Sequence, residues 1–287
     1  MNSDRGVLRP EVVLSGLTYT EAPRWHDGCL WFSDMHAHRV VVLAAHGRAE
    51  MVVDVPTRPS GLGWLPDGSL LIVSMADRRL LRLKAGALTT HADLSTLCDT
   101  DPNDMVVDAK GRAYIGTISH AMSSGVPGQP TLLVMVSADG IATVAARDMQ
   151  MANGMIITPD GRTLIVAETT ARRLAAFEIA NDGSLSRRRI FASLDGVPDG
   201  ICLDANGGVW IGLVTSQQFV RVVEGGRVTN RVTVPGKMAV APMLGGNDRR
   251  TLYLCTAKRD LANPNDPTKR VAWIESVRVE TPGSGWP

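Results

Sequence analysis

The 287 residues, 44% of them hydrophobic and 21% charged, suffice for a sizeable core and match an ordinary soluble globular chain. Thirty basic against 29 acidic side chains leave a formal net charge of +1, which excludes the charge asymmetry expected of a nucleic-acid binder. No run of about eighteen apolar residues occurs, and the opening MNSDRGVLRPEVVLSG lacks a signal-like apolar stretch, so neither a membrane span nor export is expected.

In chain order, RPEVVLSG over 9–16 reads as a first strand. The turn at Asp27-Gly28 is followed by CLWFSD and RVVVLA, and the turn at Asp67-Gly68 by SLLIVSM and RLLRLK. MVVD at 105–108 leads into the AKG turn and RAYIGT, and the stretch 117–130 reads as a long loop, a candidate lid. MIIT at 155–158, a PDG turn, RTLIVAET and RLAAFEI repeat the pattern. It recurs at ANGG with GVWIGLV, and at NDRR with TLYLCT. A polar loop over 258–269 precedes the closing strand VAWIESVRVE.

The turns recur every 40 to 50 residues, with roughly four strands per repeat and no helical periodicity between them. The prediction is an all-β, six-bladed β-propeller forming a single domain over 1–287. The N-terminal strand should join the C-terminal blade and close the ring, which removes a bare sheet edge. Cys29, Cys98, Cys202 and Cys255 are far apart and form no C-x-x-C pair. Reduced thiols and a cytoplasmic location are therefore expected.

Six or seven residues before each turn lies one aligned position. It holds Glu21, Ser60, Asn103, Asn153, Asp199 and Ala241 in successive repeats. In a propeller such a position, at the start of each innermost strand, projects toward the central channel at one height. Two carboxylates brought together there would repel unless one were protonated or a cation lay between them. Carboxylate and amide oxygens form a hard donor set suited to calcium first, with magnesium, manganese or zinc as further options. Taken singly, Asn153-Gly154 and Asp199-Gly200 are equally good turn dipeptides. Their shared register with Glu21 and Asn103 favours one divalent-cation site.

The segments EAPRW (21–25), PNDMVVDAKGRAYIGT (102–117), MANGMIITPDGRTLIVAE (151–168) and PDGICLDANGGVWIG (198–212) resemble the senescence marker protein, gluconolactonase and luciferin-regenerating enzyme family. The resemblance implies a six-bladed propeller with one central divalent cation and hydrolysis of a small-molecule lactone. It implies Glu21, Asn153 and Asp199 as metal ligands, with Asn103 a ligand or a substrate contact and Asp199 the general base. Sugar-lactone hydrolases of this family often carry an arginine two residues before the N-D asparagine, where this chain has Asp101. A carboxylate cannot reproduce the forked donors of arginine, which points away from gluconolactone itself.

Metal-assisted ester hydrolysis is the expected chemistry, with Asp199 activating water or attacking directly. Ser60, in the ligand register, and His120, beside the candidate lid, are expected substrate contacts alongside Asn103 and Asp101. His36 and His38 alternate and could both face solvent. Met105, Met122, Met149, Met151 and Met155 line either an adaptable pocket or the blade cores. Two rival readings are a metal-free strictosidine synthase-like propeller, for which Glu168 would be the residue to suspect, and a binding propeller holding a structural ion. Glu168 is otherwise read as a surface carboxylate. The sequence does not fix the oligomeric state.

Overall fold

In a computed structural model the described residues are 8–44, 47–118, 129–258 and 269–285. The first strand, β1 (Glu11–Leu17), leads into blade 1, built from β2 (Thr20–His26), β3 (Cys29–Asp34), β4 (Arg39–Ala44) and β5 (Ala49–Asp54). Blade 2 comprises β6 (Pro59–Trp64), β7 (Leu70–Ser74), β8 (Arg79–Lys84) and β9 (Ala87–Asp93). In blade 3 the strands are β10 (Pro102–Val107), β11 (Ala113–Thr117), β12 (Thr131–Val136) and β13 (Ala142–Met149).

Blade 4 holds β14 (Ala152–Ile157), β15 (Thr163–Glu168), β16 (Arg173–Ile179) and β17 (Leu185–Ser193). Blade 5 holds β18 (Pro198–Leu203), β19 (Val209–Leu213), β20 (Gln218–Val222) and β21 (Val228–Thr233). The last blade is β22 (Met238–Gly245), β23 (Thr251–Lys258) and β24 (Val271–Arg278), and β1 pairs antiparallel with β24 as its fourth strand. The molecule is a six-bladed, all-β propeller. Among the described residues no helix is long and apolar enough to cross a membrane.

The inner and second strands of each blade meet at the turns read from the sequence, and an aspartate orders most of them. Asp67, Asp108, Asp160, Asp204 and Asp248 each accept a backbone N–H from two residues on, the Asx geometry that fixes a tight turn. Apolar side chains from neighbouring blades then interlock. Trp210, Tyr114, Phe32 and Phe219 are wholly buried between sheets, and Met105, Met149 and Met155 join the blade cores. Cys98, Cys202 and Cys255 are buried, and all four cysteines are free thiols.

Glu168 is a correction to the sequence reading, which placed it on the surface or at the channel rim. Its side chain is fully buried at the end of β15, clamped by Arg173 at 2.6 Å and Arg188 at 2.5 Å. It also accepts the Gln150 backbone N–H at 2.9 Å. Asp34 at the end of β3 is its counterpart, paired with Arg39 and accepting the Thr18 N–H. These two acids tie the approach to an inner strand onto its own blade, and Glu168 has no access to the channel. Replacing Glu168 by Gln is expected to lower stability by about 3 kcal/mol, because two guanidinium groups lose their buried partner. Chemical denaturation would show this as a lower midpoint at unchanged slope.

Candidate metal and active site

Glu21, Ser60, Asn103, Asn153 and Asp199 are each the second residue of an inner strand, in β2, β6, β10, β14 and β18. All five are buried. Every inner strand slips register just past this point, between Glu21 and Arg24, Pro59 and Leu62, Pro102 and Met105, Ala152 and Met155, and Pro198 and Ile201. A bulge re-aims the side chain beside it. One bulge repeated in five blades therefore turns five polar side chains inward at one level. In β22 the slip lies between Ala239 and Ala241, so the sixth position carries only a methyl group.

The residue after the ring position explains the N-G and D-G pairs, which lie within strands and make no turn. A Cβ on Gly154 would sit 2.6 Å from the Asp199 carbonyl oxygen, and one on Gly200 would sit 2.3 Å from the Ala241 Cβ. A Cβ on Gly61 would likewise sit 2.6 Å from the Met105 backbone nitrogen. These glycines let each inner strand touch the next, which narrows the channel until the ring residues meet.

They meet as a chain of hydrogen bonds. The Ser60 hydroxyl donates to Asn103 Oδ1 at 2.9 Å, and Asn103 Nδ2 donates to Asn153 Oδ1 at 2.9 Å. Asn153 Nδ2 reaches Thr169 Oγ1 at 3.3 Å, and Thr169 donates to the Pro198 carbonyl beside Asp199. Each carboxamide oxygen keeps a second lone pair for a cation. Among the described residues, the Glu21 carboxylate receives one hydrogen bond, a long 3.4 Å contact from the Ala22 N–H.

Below the ring, Arg24 spans the channel from blade 1 to blade 3. It donates to Asp104 Oδ1 at 2.7 Å and to the Met105 carbonyl at 2.5 Å. Sequence reading missed this buried pair; its signals were the arginine of EAPRW and the aspartate of PNDM. Three carboxylates, Glu21, Asp104 and Asp199, thus share one region with one guanidinium. If all three ionise, two negative charges lack a counter-charge.

Burial first, and then the charges of Asp199 and Asp104, push the Glu21 carboxyl well above its usual range. Burial and Asp104 likewise raise Asp199, against a hydrogen bond from Asn153 that lowers it. Such a site favours protons or a cation. Among the described residues no three His, Cys, Asp or Glu side chains cluster as a metal site, so a cation here would draw on the two carboxamides as well. The donor set fits a hard divalent ion by oxygen chemistry and by charge.

Asp101 lies just before β10 and pairs with Arg58 of blade 2 at 2.7 Å. It does not face the channel mouth as a lone acid. His36 is also corrected: it is half-buried, packs edge-on against Tyr19 and contacts Arg270. Burial, then the nearby Arg270 and Arg58, lower its titration to about 4, so it is neutral at physiological pH. His120 and most of the loops over 117–130 and 258–269 lie outside the described residues.

The family model described as SMP-30/Gluconolactonase/LRE-like region matches residues 19–258. A 6-deoxy-6-sulfogluconolactonase of Pseudomonas putida is 24% identical, with 93% of each chain covered. A pentonolactonase of Haloferax volcanii is 28% identical over 84% of this chain and 82% of its own. Among solved structures, a calcium-binding protein, regucalcin, from Agrobacterium tumefaciens superposes with a TM-score of 0.81 at 24% identity. That match covers 98% of both chains.

Two measurements test the site. A carboxyl raised in the folded state stabilises the fold below its unfolded value of about 4 and loses that contribution as pH rises through the folded value. Metal-free protein should therefore melt lower at pH 8 than at pH 5 relative to its Glu21→Gln variant. Calcium should raise the wild-type melting temperature at pH 8 and much less at pH 5, where protons compete. Separately, Gly154→Ala should cost about 1–3 kcal/mol by overpacking and weaken cation binding, because the added methyl displaces the Asp199 strand. Calorimetric titration with calcium reads the second effect.

Proposed function

Since the chain belongs to the SMP-30/gluconolactonase/LRE-like family, we propose that it is a divalent-metal-dependent hydrolase that opens a lactone. The observation that carries this reading is the convergence of Glu21, Asn103, Asn153 and Asp199 at one level of the channel, where two carboxylates would lack a counter-charge once ionised. The lactonase names of the Pseudomonas and Haloferax relatives support ester opening, and the calcium-binding Agrobacterium neighbour supports the cation.

Glu21, Asn153 and Asp199 would hold the ion through oxygen, with Asn103 as a further oxygen donor whose carboxamide Ser60 orients. A divalent cation bound there would supply Lewis acidity toward the ester carbonyl. Asp199 accepts the proton of the attacking water as the general base. The carbonyl carbon gains the hydroxyl, the bond to the ring oxygen breaks, and the proton passes to that oxygen to leave an open hydroxy acid. Ser60 and Asn103, in the same ring as the other three residues, would contact the substrate from that level. Glu168, the residue on which a strictosidine synthase-like reading would rely, is locked by two arginines inside its blade.

The test is lactone hydrolysis followed by pH-stat, on metal-stripped protein and after restoring calcium, magnesium, manganese or zinc. Turnover should require the metal. Asp199→Asn keeps a ligand oxygen and removes the base, so kcat should fall about 10²- to 10⁴-fold with metal still bound by calorimetry. Full activity in that variant would remove Asp199 from the chemistry. Calcium stabilisation without hydrolysis of any lactone would favour a binding propeller with a structural ion.

A further inference from the structure

One layer above the ligand ring the blades repeat a second feature. The residue two positions before each ring residue has its carbonyl held by the amide just past the second strand. These pairs are Tyr19 with Met35, Arg58 with Met75, Asp101 with Ile118, Met151 with Thr169, and Val197 with Val214. The five residues therefore stand at one level, at the mouth of the channel. Blades 1, 4 and 5 present Tyr19, Met151 and Val197 there, whereas blades 2 and 3 present Arg58 and Asp101.

The two polar residues pair in the same sense as the layer beneath. Ser60 donates across to Asn103, and directly above it Arg58 Nη2 donates to Asp101 Oδ2. Asp101 is mostly covered, with 16% of its side chain exposed, while Arg58 keeps 35% of its own open to solvent. Among the described residues one guanidinium nitrogen is engaged, by Asp101, which leaves its other N–H donors for a ligand. Arg58 also holds a left-handed backbone, φ +66°, which Asn or Gly would adopt with less strain.

We propose that Arg58, aligned by Asp101, is the specificity-determining residue of the channel mouth, gripping oxygen atoms that the lactone carries away from its ester. The assignment rests on the hydrolase reading above. Its chemistry is that of an oxygen-rich lactone: hydroxyl or carboxylate oxygens lie against Arg58, a hydroxyl can also donate to Asp101, and the carbon face of the ring lies against Tyr19, Met151 and Val197. Asp101 acts through Arg58 as a positioning residue. The competing account is a partly exposed ion pair that only ties blade 2 to blade 3, and such pairs contribute little.

The experiment compares kcat/KM for a polyhydroxylated δ-lactone, a carboxylate-bearing lactone and unsubstituted δ-valerolactone. Arg58→Asn suits the left-handed backbone and removes the donors. It should lower the ratio of oxygen-rich to unsubstituted kcat/KM at least about 10-fold, mainly through KM. The larger of the two falls identifies hydroxyl or carboxylate as the gripped oxygen. The exchanged pair Arg58→Asp with Asp101→Arg returns a guanidinium to the mouth from the neighbouring blade and should recover most of that ratio. An unchanged ratio in Arg58→Asn, at an unchanged melting temperature, overturns the proposal. Wild-type protein inert on every lactone would instead defeat the hydrolase reading. Binding of 1,5-anhydroglucitol, a cyclic polyol with no ester, followed by NMR, then decides on Arg58 alone. Binding lost in Arg58→Asn supports the assignment, and binding kept in that variant or absent from wild type overturns it.

Discussion

Three buried carboxylates around one channel, with one guanidinium among them, set the terms for the rest of the molecule. Glu21 and Asp199 come from blades 1 and 5, and Asp104 from blade 3, so ring closure itself brings like charges together. Arg24 answers one of them from below and seals that side of the site with a 2.7 Å bond to Asp104. The remaining pair can be accommodated by protons or by a cation. A fold that buries unpaired carboxylates gives up stability in the metal-free state, and binding energy at the site then restores it. The strained centre is thereby coupled to ligand chemistry, whereas the outer parts of the blades rest on apolar packing and Asx turns.

Much of this was legible in the sequence because a propeller repeats. The turn signals at Asp27, Asp67, Lys110, Asp160, Asn206 and Asp248 fixed a common register, and that register aligned Glu21, Ser60, Asn103, Asn153 and Asp199 without any knowledge of the fold. Period and turn chemistry are local properties, and local properties survive in a single sequence. The meaning of the glycines was not local. Asn153-Gly154 and Asp199-Gly200 have the composition of tight turns, yet they lie in extended strands where the next blade's backbone would come within 3 Å of any Cβ. Only the packing of one blade on another distinguishes those two uses.

The same limit explains the other differences. Glu168 carries the ordinary signature of a charged strand end, and what buries it is Arg188, twenty residues on, folding back from β17. His36 looked solvent-facing by alternation, but Tyr19 and Arg270 converge on it from elements distant in the chain. Arg24 and Asp104 are 80 residues apart and meet only across the closed ring. Pairings across blades, such as that of Arg24 with Asp104, have no periodic trace.

Asp101 shows why a substitution at a channel position has to be read together with its neighbours around the ring. As an isolated difference, an acid at that position removes a donor and adds repulsion toward an anionic ligand. In its surroundings, the acid is neutralised by Arg58 at 2.7 Å, and the guanidinium that the position lacks stands one blade away. A ring of equivalent positions can exchange a side chain between neighbours because blades 1 to 5 present the same backbone anchor at the same height, as the Arg58 and Asp101 carbonyls show. Charge and donor count at the mouth are then properties of the layer, and no single position fixes them. On that view the polarity of the substrate follows from the arc formed by Arg58 and Asp101, with the hydrophobic arc opposite orienting the ring above the ligands.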